Sequence, residues 1–195
     1  MFNRLGKDRS ASCGLEPLDS QQLTAEIWEW FKAIVAALLL VVLVHQFGFH
    51  LSSVAGSSMQ PTLYEGELLF INKTLRFIGS PRRGDIVIIR STDPAQLSHP
   101  YLVKRVVGLP GDTVEVRQNQ LFVNDEPLTE SYTDGPVEDG RFIPYTVDED
   151  SYFVMGDNRH RSASYDSRSF GAVSAGQIEG RAECILWPFN KFKVL

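Results

Sequence analysis

Cysteine is scarce in this chain, with two in 195 residues, Cys13 and Cys184. They fall on opposite sides of the one strongly apolar run, so a disulfide between them is not expected. Two lone thiols make neither a metal site nor a disulfide framework. Histidine is scarce too, and none of the four opens a His-Glu-x-x-His pattern, so no metal is expected. A phosphate loop is also missing, and no cofactor is expected. No lysine lies three residues after a serine, which excludes the penicillin-binding arrangement of catalytic groups. An excess of positive charge is missing as well. The net charge of −5 gives no reason to expect nucleic acid as a partner. Internal repeats and low-complexity tracts are absent.

What the chain has, first, is an apolar run. Ala33 to Val44 holds neither a charge nor a helix breaker, and after Lys32 the next Asp, Glu, Lys or Arg is Glu65. The run is short for a span of about 20 residues. Extending it through Trp28 and Trp30 on one side and His45 to Leu51 on the other gives a full crossing. The tryptophans suit the interface belt, and Lys32 can reach the headgroups. A cleaved secretory signal peptide is the alternative, with Ser53-Val54-Ala55 resembling a cleavage site. Against it, the leader of 32 residues carries four basic and five acidic side chains, and so no net positive charge. The reading is a tail over 1–26, a transmembrane anchor over 27–50 and a third region over 51–195. Arg4, Lys7, Arg9 and Lys32 precede the anchor and no Lys or Arg follows it until Lys73. The tail is therefore cytoplasmic and the third region exported.

From Glu65 onward the pattern shifts to short runs of period two. Candidate strands are Leu68–Asn72, Asp85–Arg90, Leu102–Val107, Thr113–Arg117, Leu121–Val123, Tyr152–Met155 and Ala182–Leu186. A hairpin turn is expected near Asn119. Residues 129–150, acidic and rich in Asp, Gly and Pro, read as a long loop or a small subdomain, and a small inserted β/loop subdomain is expected around 111–150. Trp187-Pro188-Phe189 reads as a packing plug, and Arg159-His160-Arg161 as a solvated basic loop. The fold class expected is all-β, in antiparallel sheets, with one N-terminal transmembrane helix.

The stretch Gly56-Ser-Ser-Met-Gln-Pro-Thr-Leu63 sets Ser58 in a short, uncharged loop just past the apolar run. It lacks the second glycine of a nucleophile elbow. Farther on, Tyr101-Leu-Val-Lys-Arg-Val-Val107 puts Leu102, Lys104 and Val106 on one face of a strand. If that face is buried, desolvation lowers the Lys104 pKa. A free lysine is only about 0.04% neutral at pH 7, and a pKa near 7 would leave about half of it neutral, at a cost of about 4.6 kcal/mol. Alternation alone leaves open whether Lys104 faces core or solvent.

These residues carry a resemblance. Gly56-x-Ser58-Met59-x-Pro-Thr-Leu63, then Tyr101-x-x-Lys104-Arg105-Val-Val-Gly-Leu-Pro-Gly-Asp112, then Gly156-Asp-Asn-Arg159 leading to Ser-x-Asp166-Ser-Arg168, resemble the type I signal peptidase (leader peptidase) family. The motifs occur in the family's order, with the apolar anchor just before the first. The resemblance implies a membrane-anchored serine endopeptidase that removes signal peptides from exported preproteins. Ser58 would be the nucleophile and Lys104 its general base, in a signal-peptidase-like catalytic domain. It also implies substrates with small residues at −1 and −3, held along Met59, Tyr101 and Leu102. Asp157 would pair with Arg105 and Asp166 with Arg168 as supports.

The chain departs from the family pattern at two places. Gly56 stands where some members have a serine that adds an oxyanion donor. The third motif is longer by two residues, so the serine that orients the lysine is Ser162 counted forward or Ser164 counted back from Asp166. Ser164 keeps Ser-x-Asp-Ser-Arg intact and is preferred. Partners implied are signal peptides and the lipid bilayer, the protein being a monomer in a bacterial plasma membrane or a thylakoid-type membrane. Two rivals remain. A self-cleaving Ser–Lys repressor would need a DNA-binding segment, which is not seen. A catalytically inactive anchored β-domain that binds exported chains would be free to lose Ser58 or Lys104, and both are present. Slow self-cleavage after Ala55 is a further expectation.

Overall fold

A computed structural model describes residues 20–76, 79–94 and 100–195. The tail expected over 1–26 lies outside the described residues as far as residue 19, as does Cys13. The chain divides into two compact units, one ending at Val42 and the other running from Leu43 to Leu195.

Helix α1, Ser20–Phe47, contains neither proline nor glycine over 28 positions and stops before Gly48. Its described side chains, residues 24–42, are exposed on every face, including Ile34, Leu38, Leu39, Leu40, Val41 and Val42. Glu26, Glu29 and Lys32 fall in its first half, where Lys32 bonds Glu29 at 2.6 Å. Among the described residues no helix is long and apolar enough to cross a membrane.

The second unit is built from antiparallel sheets. The larger sheet contains β1 (Phe49–Ser53), β2 (Leu68–Asn72), β3 (Ile86–Arg90), β4 (Tyr101–Gly108), β9 (Ser151–Met155), β10 (Val173–Ser174), β11 (Ile178–Trp187) and β12 (Lys193–Val194). Its strand order is β1-β2-β11-β3-β4-β9-β10, with β12 on β11. The smaller sheet holds β5 (Thr113–Arg117), β6 (Gln120–Val123), β7 (Glu126–Pro127) and β8 (Phe142–Thr146) in the order β7-β6-β5-β8.

Strand β3 explains how the larger sheet is layered. Ile86 and Ile88 enter one core with Val54, Met59, Leu63, Leu69 and Ile71. Val87 and Ile89 enter another with Val106, Tyr152, Val154 and Ile178. A strand buried on both faces reads as a continuous apolar run. The smaller sheet packs Val114, Val116, Leu121 and Val123 against Val107, Phe153 and Met155 of the larger. Gly108 allows that approach, since a Cβ there would meet Val114 Cγ2 at 2.7 Å and the Phe153 Cβ at 2.9 Å. Positive φ at Gln118 and Asn119 closes the β5–β6 hairpin with a tight turn.

Several expectations change. The apolar segment does not stay in an anchor to residue 50: α1 ends at Phe47, and Phe49–Ser53 is β1, paired with β2. Its alternation was hidden by the apolar residues that precede it. Of the two readings of the acidic stretch 129–150, a bare loop does not hold, since Phe142-Ile-Pro-Tyr-Thr146 is β8, paired with β5. A four-residue helix, α2 (Ser167–Phe170), is capped by the Asp166 side chain, which accepts from Arg168 N. Trp187-Pro188-Phe189 does not plug a core. Trp187 is 52% and Phe189 76% exposed, their rings packed edge to face at 4.8 Å.

Candidate active site

The loop after β1 is tied down before any side chain acts. Val54 N donates to Glu67 O at 2.8 Å and Gly66 N to Val54 O at 3.0 Å. Val54, the middle residue of Ser53-Val54-Ala55, is therefore buried and bonded through both backbone groups, and is not presented as an extended substrate. Gly56 has φ +83°, with open space where a Cβ would sit, so backbone conformation and not room favours glycine there. Met59 and Leu63 then anchor the loop in the core.

Lys104 comes from the middle of β4, opposite Val87. It is 3% exposed, so of the two orientations left open by alternation, core and solvent, the lysine takes the buried one. Its Nζ donates to Ser58 Oγ at 2.8 Å and to Val103 O at 3.1 Å. Burial lowers its pKa from 10.5 to about 8, opposed by the negative charges of Asp166 and Asp157. About a tenth of Lys104 is then neutral at pH 7, less than the half the sequence argument asked for and some 200-fold more than in a free lysine.

The third motif holds the serine loop from the other side. Asn158 N donates to Ser58 O at 3.0 Å and Asn158 Nδ2 to Ser57 O at 3.1 Å. Gly156 passes so close that a Cβ would lie 2.4 Å from both Ser58 O and Ser164 Oγ. Asp157 accepts from Arg105 Nε at 2.8 Å and Nη2 at 2.6 Å, in a buried pair. Arg105 also donates to Gly84 O at 2.6 Å and lies 3.9 Å from the centre of the Tyr132 ring. Asp166 accepts from Arg168 Nε and Nη2, each at 2.9 Å, and from Gly156 N at 3.3 Å.

Of the two candidate orienting serines, Ser162 is exposed at φ +56°, its N–H donating to Asp139 at 2.9 Å. Ser164 is buried beside Gly156. Among the described residues its Oγ has no hydrogen-bond partner, so the expected bond to Lys104 is not made here. Gly56, Ser58, Met59, Tyr101, Leu102 and Lys104 all line one groove of about 620 Å³. Ser52, Ser53, Val54, Ile88 and Val103 line it as well.

Comparison with known proteins settles the lineage. The family described as signal peptidase, peptidase S26, matches residues 27–187. The chain belongs to the signal peptidase family. A signal peptidase I of Bacillus licheniformis is 40% identical over 177 residues, 86% of this chain and 92% of that protein. A signal peptidase I of Leptolyngbya laminosa is 35% identical over 181 residues, covering 90% of this chain and 88% of its own. A crystal structure of a signal peptidase I from Enterococcus faecalis V583 covers 53% of this chain and 97% of its own, at 34% identity and a TM-score of 0.42.

Sequence reasoning missed part of this candidate site. Asn158 was visible within Gly156-Asp-Asn-Arg159, but nothing in the sequence said that it grips Ser57 and Ser58. Arg159 is no part of a solvated loop: it is 1% exposed, and both terminal nitrogens donate to the Glu130 carboxylate. Its neighbours do face solvent, and His160 bonds Glu138 at 3.0 Å and Asp134 at 3.3 Å. An acidic residue 29 positions away gives no local signal of such a pair.

Proposed function

We propose that this chain is a membrane-anchored serine endopeptidase that removes N-terminal signal peptides from exported preproteins, with Ser58 as nucleophile and Lys104 as its general base. The observation that carries the reading is the 2.8 Å contact between the buried Lys104 amine and the Ser58 hydroxyl. Neutral Lys104 takes the hydroxyl proton as Ser58 Oγ bonds to the scissile carbonyl carbon. The tetrahedral oxyanion is met by the Ser58 backbone N–H, while Gly56 has no side chain to add a donor. The carbon–nitrogen bond breaks as Lys104 returns the proton to the leaving amine. Water, giving a proton to Lys104, then opens the acyl ester and regenerates Ser58.

Substrate lies as an extended strand in the groove between residues 52–56 and Tyr101–Lys104. β9 pairs with β4 only from Arg105 onward, which leaves that edge of β4 open to a peptide. Met59, Tyr101 and Leu102 line its path, and small residues at −1 and −3 face the shallow floor. Asp157–Arg105 and Asp166–Arg168 hold the surrounding loops. Ser164 is the positioning hydroxyl for Lys104 once Ser58 is acylated and no longer offers its oxygen.

The helix supplies the anchor in this reading, with the N-terminus cytoplasmic and the β unit exported. From Ala33 to Val42 the helix exposes only apolar side chains, which is unfavourable in water and suited to lipid. The exposed Trp187, Phe189 and Phe192 suit a unit working at a bilayer surface. Anchoring enzyme and signal peptide in one plane raises their effective concentration. Incubating the detergent-solubilised protein with an exported preprotein and sequencing the product's N-terminus tests the reading. Cleavage after a small-x-small triplet is expected, and an uncut preprotein contradicts it.

A further inference from the structure

Leu102 lines two cavities, the groove beside Ser58 and a second of about 330 Å³. Their apolar walls belong to opposite faces of the same strand pair: Ile88 and Val103 pack with Val54 and Met59, and Ile89 packs with Val173 and Ile178. In the β3–β4 register Ile88 faces Val103 and Ile89 faces Leu102. Ile88 and Val103 line the first cavity, Ile89 the second, and Leu102 both. Paired residues point to one face of a sheet, and successive residues to alternate faces.

An extended peptide on the open edge of β4 must obey the same alternation. Running away from Ser58 toward Tyr101, it sends the side chains at −1 and −3 to the first cavity. The side chain at −2 goes to the other face, level with Leu102. The second cavity stands there. Ile89, Leu102, Phe170 and Val173 give it apolar walls, and Asp93 and Tyr165 line it as well. The Tyr165 hydroxyl donates to the Asp93 carboxylate, and its ring packs edge-on against Phe170 at 5.1 Å. Tyr165 is the variable residue of Ser164-Tyr165-Asp166, and the cleavage chemistry gives its side chain no task.

We propose that this second cavity is a subsite for the substrate side chain at −2, and that it favours a long, aliphatic side chain ending in a positive charge. The apolar walls accept the methylenes, and the Asp93 carboxylate meets the charged end while repelling an acidic one. The inference rests on the peptidase reading given above and adds to it a preference at a position between the two small residues.

The test uses the full chain in detergent and peptides with alanine at −1 and −3 and Ala, Leu, Lys or Glu at −2. The expected kcat/KM for Lys exceeds that for Glu by about fivefold, the scale of an exposed ion pair. Leu exceeds Ala by a factor approaching ten, the scale of methylenes entering an apolar pocket. Asp93→Asn brings the Lys-to-Glu ratio close to one. Equal rates for Lys and Glu in the unaltered protein, or an unchanged ratio in Asp93→Asn, overturns the subsite. Binding of the same peptides to Ser58→Ala protein, read by fluorescence anisotropy, repeats the comparison without cleavage. If the Ala peptide is never cut, the peptidase reading fails, and the binding ratio still decides the subsite.

Discussion

The backbone amide of Asn158 donates to the carbonyl oxygen of Ser58 at 3.0 Å. Through that bond, the Gly156-Asp-Asn-Arg159 turn fixes the height of the Ser58 loop over β4, and so the distance from Ser58 Oγ to Lys104 Nζ. The side chain of Asp157 meanwhile ties the same turn to Arg105, the next residue along β4 from the lysine. Serine, lysine and turn are thus positioned by one another, and damage to any of them reaches the pair.

The pH dependence follows from Lys104. Its pKa of about 8 leaves the amine largely charged at lower pH, where it could not serve in the proposed role of base. The expected kcat/KM rises nearly tenfold per pH unit below about 8 and levels off above it. A pH–rate profile on a peptide substrate checks this, and a flat profile between pH 6 and 9 contradicts it.

The same lysine weakens the fold at neutral pH. The folded pKa lies below the unfolded value of 10.5, so the unfolded chain binds more protons between about pH 8 and 10.5, and stability rises with pH there. Below pH 8 the penalty is fully present. Lys104→Met is therefore expected to stabilise the protein at pH 7 by as much as ~3 kcal/mol, with a gain that shrinks as pH climbs toward 10.5. Urea denaturation of both proteins at pH 7 and pH 10 reads the difference.

Ser164 separates activity from stability. Among the described residues its buried hydroxyl has no partner, so Ser164→Ala removes an unsatisfied group and leaves stability unchanged or slightly raised. If the hydroxyl positions Lys104 during turnover, kcat falls by about ten- to a hundredfold and the pH midpoint shifts, with KM little changed. Unaltered kcat removes that role. Ser162→Ala, at an exposed site, serves as the comparison.

Asp157→Ala leaves Arg105 buried without its carboxylate. Breaking a buried pair on one side costs about 3–5 kcal/mol. Thermal unfolding is expected to show that loss, together with lower cleavage, since Gly156 and Asn158 flank the lost anchor.

Much of the site was legible because its chemistry needs particular residues in a particular order. Ser58 in a glycine-led loop and Lys104 between apolar neighbours on a strand are local patterns. The strands around them show as period-two runs, and the β5–β6 turn as Asn119. What stayed hidden depends on distance along the chain. Whether Lys104 faced inward was decided by Val87 and Ser58, not by β4 itself. The burial of Arg159 came from Glu130. Strand β1 was masked by the apolar helix before it. Trp187 and Phe189 carry the composition of a core but lie on the surface, which no hydropathy pattern separates.

The central claim is that Ser58 and Lys104 act as one unit. A double-mutant cycle tests it most directly, comparing preprotein cleavage by the purified unaltered protein with Ser58→Ala, Lys104→Ala and the double variant. Each single change is expected to lower the rate by about a thousandfold or more, and the double change by scarcely more than either alone. Full cleavage by Ser58→Ala would contradict the account, as would losses from the two changes that simply multiply.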